Sequence, residues 1–286
     1  MAKKEIASTK IHSGRNPYHH DERTLKLRDV LNKLDKEKDI PAQYDWGRRI
    51  KPDHSWGDYG NLKLNNCTFV TAAYQIMIWK SYKADKIYRP AVKTIIEDYS
   101  KLIKDNRKGG KSLKAILNEG GKSLEALRVL NHWRKHGIDG HKIIAFAKLT
   151  FNNKNVQKEE LKRVIYLYGG CFIGLNIPRS VENQWQHSKK WSIIRRVPGG
   201  DARRRLWFSH ALLVIGYNEK GVRVVTFGKE EVMTWEFYLK YVDEAYAVFD
   251  ESFLKARNTP SKMKVSDLKV ILNLKNKKKR VVKAVK

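Results

Sequence analysis

The chain of 286 residues is 41% hydrophobic, enough to bury a core in one large domain or two small ones, which excludes a disordered protein. It carries 59 lysines and arginines against 30 acidic residues, a formal charge of +29, so its surface attracts nucleic acid, anionic membrane or acidic proteins. Two cysteines, a polar start (MAKKEIASTK) and no apolar run near the roughly 20 residues of a membrane span exclude a disulfide scaffold and a spanning helix, and predict a soluble, reducing, cytoplasmic setting.

Residues 1–39 read as a basic N-terminal arm, in which RTLKLRDVLNKL places Leu25, Leu27, Val30, Leu31 and Leu34 on one face of an expected helix. From Ile40 the text changes, and IPAQYDW opens a domain expected over 40–250. Turn signals gather at HSWGDYGN. Phe69, Ala72, Ala73 and Ile76 then keep the spacing of a buried helix that Asn65 or Asn66 can cap. Between Pro90 and Ala147 the pattern is mostly helical, with breaks at Gly109–Gly110, Gly120–Gly121 and Gly137. The runs CFIGLNIP, HALLVIGY, VRVVTFG and AYAVFD predict buried strands of an antiparallel sheet or barrel, and MTWEFYLKYVDEAYAVFD predicts a helix followed by a strand. Helices first and strands later define an α+β chain in two halves. Residues 251–286 return to a basic tail, with one strand expected at LKVILNL.

Cys67 opens the helix after HSWGDYGN, and two readings compete for it. It is a small apolar residue starting a buried helix, or a nucleophile whose thiolate the positive end of the helix dipole favours. A nucleophile needs a base from elsewhere in the chain. Of the nine histidines, His210 heads an apolar run after an arginine-rich loop, which puts its ring at a strand edge, whereas His19, His20 and His54 lie in polar text. Cys171, in GGCFIGLNIP, reads as core. His132 and His136 stand four apart with His141 nearby, but no carboxylate or cysteine completes a zinc set and Gly137 breaks the helix, so no metal is expected. No glycine-rich phosphate loop indicates a nucleotide cofactor.

IPAQYDW followed by WGDYGNLKLNNCTFVTAA resembles the start of mature papain-like cysteine proteases, where an Asp-Trp pair precedes a nucleophilic Cys at a helix N-terminus. SHALLVIGYNEKGVRVVTFG resembles their His-bearing strand pair, with ALRVLNHWRKHGIDGHKI and EELKRVIYLYGGCFIGLNIP in the intermediate positions. The Gly-Asn before the Cys, the WRK, GI and GHKI pieces, and MTW followed by YVDEAYA are similar to a papain-like group encoded by bacteria and their phages. The resemblance spans about Ile40 to Phe249. It implies a two-lobed papain-like fold with its site in the cleft between the halves, Cys67 as nucleophile and His210 as general base and acid. Six residues before the Cys, where the family carries an oxyanion-binding Gln, this chain has Asn61, which keeps an amide donor beside the Cys67 backbone N–H or else only fills a turn. The family's ring-orienting Asn has no counterpart. Counting the interval from His210 reaches Thr226, whose hydroxyl can hold the ring, while aligning the glycines of VVTFG and Asn-Ser-Trp-Gly reaches Val225, which cannot. The extra cysteines of secreted relatives are missing beside Cys67, which agrees with a bacterial or phage-infected cytoplasm or a virion.

The resemblance therefore implies cysteine-dependent hydrolysis or acyl transfer on peptide or isopeptide bonds of a peptide or protein substrate. The alternative is a papain-like scaffold with little or no turnover, serving as a virion- or nucleic-acid-associated structural protein. Lysines and arginines crowd 262–286 and recur from Arg195 to Arg205, and Trp185, Trp191, Trp207 and Phe208 interleave with Lys189 and Lys190 as in single-strand-binding surfaces. The same aromatics equally pack the rim of a cleft before His210, and the basic runs equally solvate a surface. Glu230, Glu231, Asp243 and Glu244 show no paired arrangement for acid–base chemistry.

Overall fold

A computed structural model describes residues 14–34, 39–50, 56–84, 86–104, 111–194 and 206–273. The first 13 residues of the expected arm, His54, the break at Gly109–Gly110, the run from Arg195 to Arg205 and the basic residues beyond 273 lie outside the described residues.

The chain joins the fold before residue 40. Leu25–Lys26 (β1) enters the sheet and α1 (Leu27–Leu34) follows at once. Leu25, Leu27, Val30 and Leu31 are buried in the main core, so the apolar face of RTLKLRDVLNKL packs there rather than on an arm of its own. A two-residue strand β2 (Tyr44–Asp45) and a 3-10 turn (Trp46–Arg49) lead to α2 (Cys67–Ala84). Every residue of α2 from Cys67 to Trp79 is buried. A helix apolar on all sides belongs inside a protein, and α2 is the one around which the rest is arranged.

The helical half is completed by α3 (Val92–Ile103), α4 (Leu113–Asn118) and α5 (Ala126–Lys135). Ser112 caps α4 by accepting from the Ala115 N–H. Then come β3 (Ala145–Lys148), α6 (Lys154–Tyr168), β4 (Cys171–Pro178), α7 (Ser180–Gln186), β5 (Leu206–Tyr217), β6 (Gly221–Thr226), β7 (Lys229–Thr234), α8 (Trp235–Tyr241), β8 (Val242–Phe249) and α9 (Glu251–Leu254). Residues 265–273 form a last helix, α10.

One sheet runs in the order β1-β3-β8-β4-β5-β6-β7, with β2 on β5. Every pairing is antiparallel except β1 with β3. All four expected strand runs are strands here, and MTWEFYLKYVDEAYAVFD folds as helix then strand. Two expectations are corrected. IIAFAK, inside the text read as helical, supplies β3, which pairs with β8 through Ala145 and Phe249. LKVILNL is helical in its described part, because Val265 and Leu268 are buried three apart while Lys264 and Lys269 are exposed, a helical rather than an alternating pattern. Among the described residues no helix is long and apolar enough to cross a membrane.

Candidate active site

Cys67 begins α2 with its side chain fully buried. Asn66 stands before it, but its side chain does not cap the helix as expected. Its Nδ2 donates to the Tyr59 carbonyl at 2.9 Å, and the first helical bonds run instead from the Phe69 and Val70 N–H groups to the Asn66 carbonyl. The thiol thus meets the unspent N–H groups of the first turn. It also receives the Ala211 N–H of β5 at 3.4 Å.

His210 lies one residue before Ala211, so the β5 backbone that approaches the sulfur also carries the imidazole. The ring is buried, and its Nε2 lies 2.7 Å from the Thr226 hydroxyl at the end of β6. Val225, the other reading of the third position, sits in the ladder opposite Leu213, and its apolar side chain has no atom to hydrogen-bond a ring nitrogen. Beyond Thr226 the hairpin turns through Phe227 (φ 46°) and Gly228 (φ 74°), the left-handed pair that a tight two-residue turn requires. Phenylalanine adopts that region only when its surroundings impose it. Here its ring stacks on the His210 imidazole, with centroids 4.8 Å apart and planes within 10°.

The space between thiol and imidazole is filled from the N-terminal segment. The Cys67 thiol donates to the Gly14 carbonyl at 2.9 Å. A methyl group added to Gly14 would stand 3.0 Å from Sγ, a tight contact, and 3.8 Å from His210 Nδ1, so the glycine lies close over both. Next to it Arg15 is wholly buried. Its Nη2 donates to both oxygens of Asp243, at 3.0 and 2.9 Å, and its Nη1 to Glu244. Arg15 pairs in parallel with Leu124, whose carbonyl accepts from the Asn16 N–H at 3.2 Å.

This cover reverses the expected charge state of the thiol. Burial pushes Cys67 up to about 12, against the pull of the Ala211 N–H, the Arg15 charge and the N–H groups of Thr68 and Cys67 itself. Burial, and then the Arg15 charge, hold His210 down to about 3. In this arrangement both groups are neutral at pH 7, and the thiolate expected from the helix dipole does not form because desolvation outweighs it.

Cys67, His210 and Thr226 are therefore brought together. Asn61 lies in the turn ahead of α2, half-buried, with its backbone N–H donating to the Asp58 carbonyl at 2.8 Å; its side-chain amide makes no hydrogen bond among the described residues. Cys171 opens β4 as a core residue. His141 pairs with Asp250 at 2.9 Å and stacks on Trp79. No group of three or more metal-ligating side chains is found among the described residues. Trp185 is buried against Trp191 and Phe227, and Phe208 against Phe227 and His210, so those three rings are not open to stack on bases. Gly14 and Arg15 had no part in the sequence reading, and Asp243 and Glu244 entered it only as carboxylates without an acid–base pairing. The one signal available was a Glu within the apolar run VDEAYAVF.

With this geometry the comparisons with known proteins can be placed. No family model matches the sequence, and no curated protein does. Among solved structures, the chain is similar to xylellain, a cysteine protease from Xylella fastidiosa, with a TM-score of 0.56 over 85% of this chain and 97% of that one, at 14% identity. It also matches the Carica candamarcensis cysteine protease CMS1MS2, solved in complex with E-64, with a TM-score of 0.44 over 74% of this chain and 99% of that chain, at 12% identity. The fold is that of the papain-like cysteine proteases, and at these identities the likeness is one of fold.

Proposed function

We propose that the chain is a papain-like cysteine peptidase held in a latent form by its own residues 14–15. One observation carries the reading: Cys67 Sγ and His210 Nδ1 face a single small space, and a peptide backbone, that of Gly14, already occupies it. Thr226 lies on the other ring nitrogen, where a hydroxyl can fix the tautomer. For Nδ1 to accept the thiol proton, Nε2 must carry hydrogen, which it then donates to Thr226 Oγ1.

Once a substrate peptide replaces Gly14, the thiol loses its proton to His210 Nδ1 and the sulfur attacks the scissile carbonyl carbon. The carbonyl oxygen takes up negative charge at the N-terminus of α2, where the Cys67 N–H, joined by the Asn61 amide, is the proposed donor pair. Collapse breaks the C–N bond, the amine leaves with the proton from His210, and a thioester remains. Water then attacks the thioester, giving its proton to His210, and the thiol is regenerated as the acid departs. An amine in place of water would make the same site an acyl transferase, and a lysine-linked amide an isopeptidase. Kinship with the bacterial and phage-encoded branch rests on the sequence motifs.

The test is labelling and turnover together. The full chain and its Arg15→Ala variant are treated with a peptidyl epoxide and with a mixture of quenched fluorescent peptides. The expected result is label on Cys67, stronger in Arg15→Ala, and hydrolysis that disappears in Cys67→Ala. Unlabelled Cys67 with no hydrolysis in either chain overturns the reading in favour of a scaffold. Salt-dependent binding of DNA, lost when the basic residues of 195–205 and 274–286 are neutralised, then tests that scaffold's nucleic-acid role.

A further inference from the structure

The pocket that holds Arg15 is built with more care than an internal ion pair needs. Asp243 and Glu244 are the second and third residues of β8, and each carboxylate is already gripped by neutral donors. Glu244 accepts from the Tyr246 hydroxyl at 2.8 Å. Asp243 accepts from Asn176 Nδ2 at 2.9 Å, and Asn176 in turn accepts from the Ser209 hydroxyl at 2.6 Å. These bonds fix the acceptor oxygens before any cation arrives, and the Arg15 fork meets them with both terminal nitrogens.

The floor is Gly174 of β4, opposite Glu244 on one side and Ala211 on the other. A methyl group there would stand 2.6 Å from a Glu244 oxygen and 3.0 Å from the Arg15 guanidinium carbon. The same three strands, β4, β5 and β8, therefore carry the socket and His210. The occupant is different in kind. Asn16, Pro17, His19 and His20, which follow Arg15, are exposed, so the guanidinium is delivered by a surface segment and not by the core. If that segment withdraws, two adjoining carboxylates, one almost wholly buried, are left without a cation, and such a site is costly until a cation returns.

We infer that this socket selects the substrate: the peptidase proposed above takes an arginine side chain on the residue that follows, in chain order, the one whose carbonyl Cys67 attacks. The inference rests on that reading of the site. Arg15 next to Gly14 is then a resident imitation of the substrate, its guanidinium in the socket and its neighbour's carbonyl at the thiol. Lysine, with a single ammonium in place of the fork, fits the paired carboxylates less well.

The test separates socket from chemistry. Binding of acetyl-Gly-Arg-amide, in the order of Gly14–Arg15, and of its citrulline counterpart, which keeps the shape without the charge, is measured by calorimetry on the full-length Arg15→Ala chain. The arginine peptide is expected to bind at least about tenfold more tightly, and the preference to fall below about twofold when Glu244→Gln is added. Equal affinity for the two peptides overturns the socket. Cleavage of internally quenched peptides containing Gly-Arg or Gly-Leu is followed on the same chain. Selective binding with no turnover keeps the socket and overturns the peptidase; turnover without preference does the reverse. Should Arg15→Ala fail to fold, Arg15→Lys retains a cation that a peptide arginine displaces, and indifference of that variant to both peptides equally overturns the socket.

Discussion

Cys67 and Cys171 are both fully buried, and burial raises the pKa of both thiols, yet what surrounds them differs. The Cys171 sulfur lies against sheet carbonyls, Tyr246 at 3.4 Å and Phe172 at 3.8 Å, between β4 and its neighbours. It is buried inside the central sheet, and no surface segment alone covers it. The Cys67 sulfur lies among N–H groups at a helix N-terminus, beside an imidazole, and its outer face is covered by one glycine of a segment that is mostly exposed. Equal burial therefore conceals unequal accessibility, because the free energy of exposing a group is that of the smallest unit that must move.

The largest effect expected from this contrast is on turnover. Cys67→Ala should abolish peptide hydrolysis, by a factor on the order of 1,000 or more, since nothing else in the site can form the acyl intermediate. Cys171→Ala should leave the rate within about twofold and lower thermal stability, by a kilocalorie or so for the small cavity (~1 kcal/mol). Initial rates on a fluorogenic peptide and a melting curve check both. Loss of activity in Cys171→Ala at a temperature where it is folded would show that the comparison is drawn between the wrong features.

A second experiment acts on the cover alone. Gly14→Leu cannot place its side chain over Sγ and the imidazole, and overpacking of that kind costs about 1–3 kcal/mol. If the cost is relieved by lifting the segment, the open population rises by about 5- to 150-fold. Iodoacetamide labelling, read by peptide mapping, should then accelerate at Cys67 by that factor while Cys171 stays unlabelled. Parallel acceleration of both thiols would mean that the substitution loosens the whole fold.

The contrast also marks what was legible in the chain. The strands were readable because CFIGLNIP, HALLVIGY and VRVVTFG are unbroken apolar runs, as strands covered on both faces must be. Cys67 and His210 could be singled out because the text around each is local, whereas Thr226 was reached only by counting an interval from His210, with Val225 as the alternative, and only the fold brings the three together. The cover and its socket could not. Gly14 and Arg15 stand in polar text, and Arg15 meets its carboxylates 228 and 229 residues further on, a pairing that no local period encodes. LKVILNL misled for the opposite reason, since its β-branched residues suggest a strand when the buried positions around it follow helical spacing.

A smaller effect is expected at the ring's far side. Thr226→Val keeps the shape and removes the oxygen that meets His210 Nε2, leaving a buried ring N–H without its acceptor, at about 1–3 kcal/mol. Turnover should fall by about tenfold with little change in KM, and Thr226→Ser should restore most of it. A Thr226→Val enzyme with full kcat would show that Phe227 stacking alone positions the ring.

The smallest expected effect concerns pH and follows from His210. In the covered state burial and then the Arg15 charge hold its pKa down to about 3. Withdrawal of Gly14 and Arg15 removes the charge and part of the burial, although Phe227 still covers one ring face, so the imidazole rises toward its usual value of about 6.5. The open form thus binds a proton more tightly than the covered form. A group depressed in the covered state stabilises that state fully above about pH 6.5, and the contribution is lost progressively as pH falls toward 3. Acidification must therefore favour opening, by about threefold between pH 7 and pH 6 from this one group. Glu244 does not set the sign, because opening takes away the Arg15 charge that lowers its pKa and also the burial that raises it. Amide exchange at Arg15 and Asn16, normalised to an exposed amide in the same sample, measures the open population. The threefold rise should appear in the wild-type chain and vanish in His210→Gln, which has no proton to take up. A rise of the same size in His210→Gln would move the pH dependence to the carboxylates of the socket, and the two thiols would then differ by the salt link of Arg15 rather than by the imidazole beside Cys67.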